Sequence, residues 1–175
     1  MKSLRKESNC PAAVALALLG SFLLSGAAQA APYPEPVQGY FVVRDFRFAD
    51  GEVLPELKLH YFTLGTPARD ANGQVTNAVL LLHGTYGKGA NFLTDGFAGE
   101  LFGTSQPLDA GRFYIIVPDN LGHGKSTKPS DGLRAKFPRY RYADMVAAQR
   151  RLVMDGLGAP RSGSRILRFD ASTGP

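Results

Sequence analysis

The chain has 175 residues, 44% of them apolar, with 20 Lys+Arg against 15 Asp+Glu and a formal net charge of +5. That balance excludes a disordered or fibrous chain as the whole answer. The single cysteine, Cys10, falls in the leader described next, so thiolate nucleophiles and cysteine zinc sites are excluded too.

Lys2, Arg5 and Lys6 precede an apolar stretch from Pro11 to Leu24, and the small-residue site Ala28-Gln29-Ala30 follows it. This is the pattern of a secretory signal peptide cut between Ala30 and Ala31. The stretch is interrupted by Gly20 and Ser21 and is short for a bilayer, so no stable anchor is expected after cleavage; an uncleaved anchoring helix is the alternative. The expectation is a periplasmic or secreted protein whose residues 31–175 form the N-terminal part of one domain. With the leader go Lys2, Arg5, Lys6 and Glu7, which lowers the net charge by two.

After the Pro-rich lead Pro32 to Pro36, Gly39 to Phe48 and Leu57 to Phe62 flank the turn Ala49-Asp50-Gly51-Glu52, a β-hairpin signal. His60 within it reads as a half-buried strand residue. A polar connector leads to Ala78-Val79-Leu80-Leu81-Leu82, which lacks polar alternation and so predicts a strand buried on both faces. A Gly-rich turn, His83 to Gly89, and a stretch through Phe92, Phe97, Leu101 and Phe102 with a short helix come next. Phe113 to Val117 is a second buried strand, stopped by Pro118, and a loop runs from Asp119 to Pro138.

From Tyr142 to Leu157 the pattern predicts a helix with Tyr142, Met145, Val146, Leu152, Val153 and Leu157 on one face. Asp144 lies near its N-terminus, where the macrodipole favours an acid, and Gly156 and Gly158 end it. Arg165 to Phe169 is a last short strand. Strands separated by helical connections predict an α/β fold: an opening hairpin, then mostly parallel strands with helices on both faces.

In such a sheet ligands bind beyond the carboxyl ends of the strands, and two loops here leave such ends. One is His83-Gly84-Thr85. The other is Asp119-Asn120-Leu121-Gly122-His123-Gly124-Lys125-Ser126. Taken together, these residues resemble the α/β-hydrolase superfamily, whose third strand ends in a His-Gly step and whose fourth ends in an Asp-x-x-Gly-x-Gly-x-Ser turn. The hairpin from Gly51 to Tyr61, the Leu-Leu-His-Gly-Thr turn and the helix segment Asp144 to Gln149 resemble the homoserine O-acetyltransferase-like branch. The resemblance covers roughly residues 38 to 160, an N-terminal portion.

It implies a serine acyl-enzyme acting on a small acyl or ester substrate without a cofactor, with the backbone N–H of Thr85 as an oxyanion donor. His83, Gly84, Asp119, Gly122, His123, Gly124 and Ser126 would shape the site. The family's Gly-x-Ser-x-Gly elbow is matched only by Asp170-Ala171-Ser172-Thr173-Gly174. Ser172 is therefore the candidate nucleophile by position alone, since Asp170 stands where the sharp turn calls for glycine. The triad acid and histidine have no match after it. A chain truncated or frameshifted at or before the elbow, and inactive as it stands, is the expectation.

Hydrolysis is preferred to acyl transfer, because an exported enzyme would lack cytoplasmic acetyl-CoA. An acyltransferase of the homoserine type and a non-catalytic fragment or interaction module remain the alternatives. Other readings weigh less. Gly124-Lys125-Ser126 lacks the earlier glycine of a phosphate loop and meets Pro129 where a helix should start. The cluster Gly84, Gly87 and Gly89 has the wrong spacing for a dinucleotide site. Residues 125–175 carry 11 basic and 4 acidic side chains, but a solvated loop and outer helix face explain them, and no nucleic acid partner is expected.

Overall fold

The computed structural model describes residues 33–159 and the backbone of 165–168. The proposed signal peptide, Phe169 and Ser172 with its elbow lie outside the described residues. Seven elements are used below: strands β1 (Val37–Arg47), β2 (Val53–Leu64), β3 (Ala78–Leu82), β4 (Tyr114–Pro118) and β5 (Arg165–Arg168), and helices α1 (Asp95–Leu101) and α2 (Tyr142–Arg151).

The strands form one sheet in the order β1-β2-β4-β3-β5. The hairpin β1/β2 is antiparallel, β2 runs antiparallel to β4, and β3, β4 and β5 are mutually parallel. Both faces of the parallel part are covered, as the unbroken apolar runs predict. Val79 and Leu81 of β3 and Ile115 and Val117 of β4 pack with Phe92, Ala98 and Phe102 on the α1 side. Leu80, Tyr114 and Ile116 point the other way and pack with Val153 just beyond α2. A fully buried Leu or Ile contributes about 1.5–3 kcal/mol, so each of these side chains is a substantial stabilising contact of the sheet.

Three local expectations are corrected. His60 is not half-buried: it is 0% exposed, on the β2 face opposite Leu57 and Leu59. The helix is shorter than 142–157, because α2 ends at Arg151 and a π turn, Leu152–Gly156, carries the chain to Gly158 (φ +70°). Its apolar stripe is also split. Leu152 and Val153 are buried, whereas Tyr142 and Val146 are exposed by 66% and 60%. Pro118 closes β4 as its last paired residue, opposite Tyr61.

Candidate active site

The parallel strands β3, β4 and β5 end at one edge of the sheet. Leu82, the last residue of β3, pairs with Arg168, the last of β5. The turn His83-Gly84-Thr85 and the loop from Asp119 leave that edge side by side, and hydrogen bonds from the two segments and from nearby Gly89 join them. Asn120 N–H donates to His83 Nε2 (3.0 Å), Gly89 N–H donates to Asp119 Oδ1 (2.6 Å), and His123 Nε2–H donates to the Thr85 carbonyl (2.7 Å).

The predicted site residues other than Ser172, which lies outside the described residues, have definite environments. His83 is buried with both ring nitrogens engaged: Nδ1–H donates to Gly84 O (2.8 Å), and Nε2 accepts from Asn120. That pairing requires the neutral Nδ1–H tautomer. Burial pushes its pKa below the ordinary 6.5, and His123, whose ring lies 5.2 Å away, acts in the same direction. A base must have a free nitrogen, and His83 has none, so it shapes the turn.

Asp119 is 3% exposed and accepts three hydrogen bonds, from Gly89 N–H, from Lys125 N–H (2.8 Å) and from His60 Nδ1–H (2.9 Å). Ser126 is fully buried. Its Oγ accepts from His60 N–H (2.9 Å) and donates to Asp119 O (2.8 Å), which commits the hydroxyl to the loop. The glycine spacing of this loop follows from the same packing. Gly122 (φ +88°) lies under the Tyr140 hydroxyl and Gly124 (φ +53°) against the Asp119 carboxylate, and a Cβ at either would collide.

Between the turns and α2 lies a cavity of about 240 Å³. His83, Gly84, Thr85, Asn120 and His123 form one wall. Tyr142, Met145, Val146 and Gln149 form the other, at helical spacing i, i+3, i+4, i+7. Leu82 and Tyr140 complete it. Among the described residues Thr85 N–H has no hydrogen-bond acceptor.

Asn120 and Gln149 were not singled out as site residues from the sequence. Gln149 Nε2 donates to Asn120 Oδ1, and Asn120 Nδ2 donates to His83 O (3.3 Å). The available signal was a polar Gln in register with the stripe Tyr142, Met145, Val146: an amide aligned with apolar residues marks a face turned to a cavity rather than to core. No cluster of metal-ligating side chains occurs among the described residues.

A family model described as alpha/beta hydrolase fold matches residues 77–161, the segment that holds both turns and α2. The chain belongs to the α/β-hydrolase superfamily. Its sequence falls with the homoserine O-acyltransferase-like branch. It is 36% identical over 126 residues to a homoserine O-succinyltransferase of Aromatoleum aromaticum (63% of this chain, 32% of the relative). It is also 32% identical over 120 residues to a probable acyltransferase of Methanothermobacter thermautotrophicus (68% of this chain, 36% of the relative). Among solved structures, an acetylester hydrolase from Corynebacterium glutamicum superposes with a TM-score of 0.57 at 26% identity, covering 70% of this chain and 34% of that one. The chain spans about a third of the length of these curated relatives.

Proposed function

We propose that the domain to which this chain contributes carries out serine acyl-enzyme chemistry on a small acyl ester, with water as the acceptor, after export through a signal peptide cut before Ala31. The observation that carries the reading is the cradle itself: two turns at neighbouring strand ends, tied by His123 and Thr85, beside a cavity of about 240 Å³. In this reading Thr85 N–H binds the oxyanion, worth about 3 kcal/mol per donor. The apolar side chains of Leu82, Met145 and Val146 would receive the acyl group. β5 ends at Arg168 beside Leu82, and Ser172 follows four residues later, which supports Ser172 as the position of attack.

The three histidines of the chain are all in use. His60 faces Asp119, His83 is bonded at both nitrogens, and His123 Nε2 is bonded to Thr85 O. None is free to take a proton from Ser172. We therefore assign to these 175 residues the cradle and not the base. A fluorophosphonate probe with peptide mapping tests this: folded wild-type protein is expected to give no adduct at Ser172. An adduct there, lost in Ser172→Ala, would overturn the assignment and make the chain an enzyme by itself.

Transfer to homoserine is the second reading, favoured by the similarity to a homoserine O-succinyltransferase. Export discriminates, since an exported protein meets water and not cytoplasmic acyl-CoA.

A further inference from the structure

The wall of the cavity opposite the turns contains an amide that neither the acyl chemistry nor the sheet packing uses. Gln149 is 8% exposed, and its Nε2 donates to Asn120 Oδ1. Asn120, 4% exposed, directs two donations at His83: the side-chain Nδ2–H to the carbonyl and the backbone N–H to Nε2. His83 in turn donates from Nδ1 to Gly84 O, which also accepts the Gly87 N–H that closes the turn (3.0 Å). A continuous chain of buried hydrogen bonds thus runs from α2 to the residue preceding Thr85.

We propose that Gln149 is a positioning residue for the Thr85 turn, acting through Asn120 and His83. An amide in the Asn position can present either end to His83 O. Only the orientation with nitrogen toward that carbonyl satisfies it, and Gln149 selects that orientation by donating to the oxygen end. Without the donor, Asn120 Oδ1 is left buried and unpaired, so the amide turns or draws in water and His83 loses its lock. The residue touches no reacting atom. Its effect is on where Thr85 N–H points. This inference rests on the cradle reading above.

The test uses the full chain, isotopically labelled, with Gln149→Met (equal length, no amide) and Gln149→Glu (isosteric, accepting but not donating). In the wild type the His83 ring is expected as the single Nδ1–H tautomer with a protected Asn120 amide. In both variants the ring should show mixed tautomers, and Asn120 amide exchange should quicken about tenfold. Methylphosphonate, a tetrahedral anion, should shift the Thr85 amide of the wild type and bind each variant about fivefold more weakly. Ala147→Ser, on the exposed face of α2 and outside both the cavity lining and the hydrogen-bond chain, should leave all three readouts unchanged.

If Gln149→Met fails to fold, Gln149→Glu alone decides. An unaltered His83 spectrum and Asn120 exchange in a folded Gln149 variant would overturn the role of Gln149. A wild-type Thr85 that ignores methylphosphonate, with the His83 changes intact, would overturn the cradle instead.

Discussion

His123 Nε2–H donates to the Thr85 carbonyl across 2.7 Å, joining a residue five positions beyond β4 to one three positions beyond β3. These are the two turns that the acyl-anion cradle requires to be neighbours. Replacing His123 with Ala removes the tie without opening the core, since the ring is only partly buried. The expected cost is about 0.5–1.5 kcal/mol, the net worth of one hydrogen bond, read as a lower urea midpoint with unchanged slope. A midpoint identical to wild type would mean that the turns are held together without it.

Asp119 and His60 make an asymmetric pair. Asp119→Ala strips the acceptor from Gly89 N–H, Lys125 N–H and His60 Nδ1–H at once, all in or near the core. A loss of roughly 3–5 kcal/mol is expected, whereas His60→Gln leaves Asp119 its two backbone donors and should cost about 1–2 kcal/mol. Chemical denaturation of both variants checks the order. Equal losses would show that the carboxylate acts through His60 alone.

His83 links stability to pH. Its folded pKa lies below the ordinary 6.5 through burial, so between the two values the unfolded chain holds the extra proton. Its contribution is therefore fully present above the unfolded value and is lost as pH falls through the folded one. Thermal midpoints from pH 8 down to pH 5 should fall more steeply in the wild type than in His83→Gln, which lacks this titrating group. Parallel curves would contradict the neutral, doubly bonded imidazole.

Export predicts a shortened N-terminus. Expressed with its leader in a secretion-competent bacterium, the protein should be recovered outside the cytoplasm beginning at Ala31. Recovery from the cytoplasm beginning at Met1 or Lys2 would remove the argument for water over an acyl-CoA partner.

Much of the fold was legible because its signals are local. Asp50-Gly51 between alternating strands marks the hairpin, and the unbroken runs at Ala78–Leu82 and Tyr114–Val117 mark strands covered on both faces. The order His83-Gly84-Thr85 before Asp119-x-x-Gly122-x-Gly124 marked the two turns that leave neighbouring strand ends. What stayed hidden depends on contacts between distant residues. His60 is buried because Asp119, 59 residues on, meets its ring, and no strand pattern encodes that partner. The stripe on α2 misled because period 3.6 registers which face is apolar, not what the face meets. Tyr142 and Val146 meet a cavity, while Leu152 and Val153 meet the sheet.

The most direct test of the cradle is a methylphosphonate titration of the isotopically labelled wild-type chain, followed at every assigned amide. Saturable shifts concentrated at Gly84, Thr85, Asn120 and His123 are expected, with the hairpin turn at Gly51 unmoved. Shifts confined to the basic loop from Lys125 to Arg141, with Thr85 silent, would contradict it.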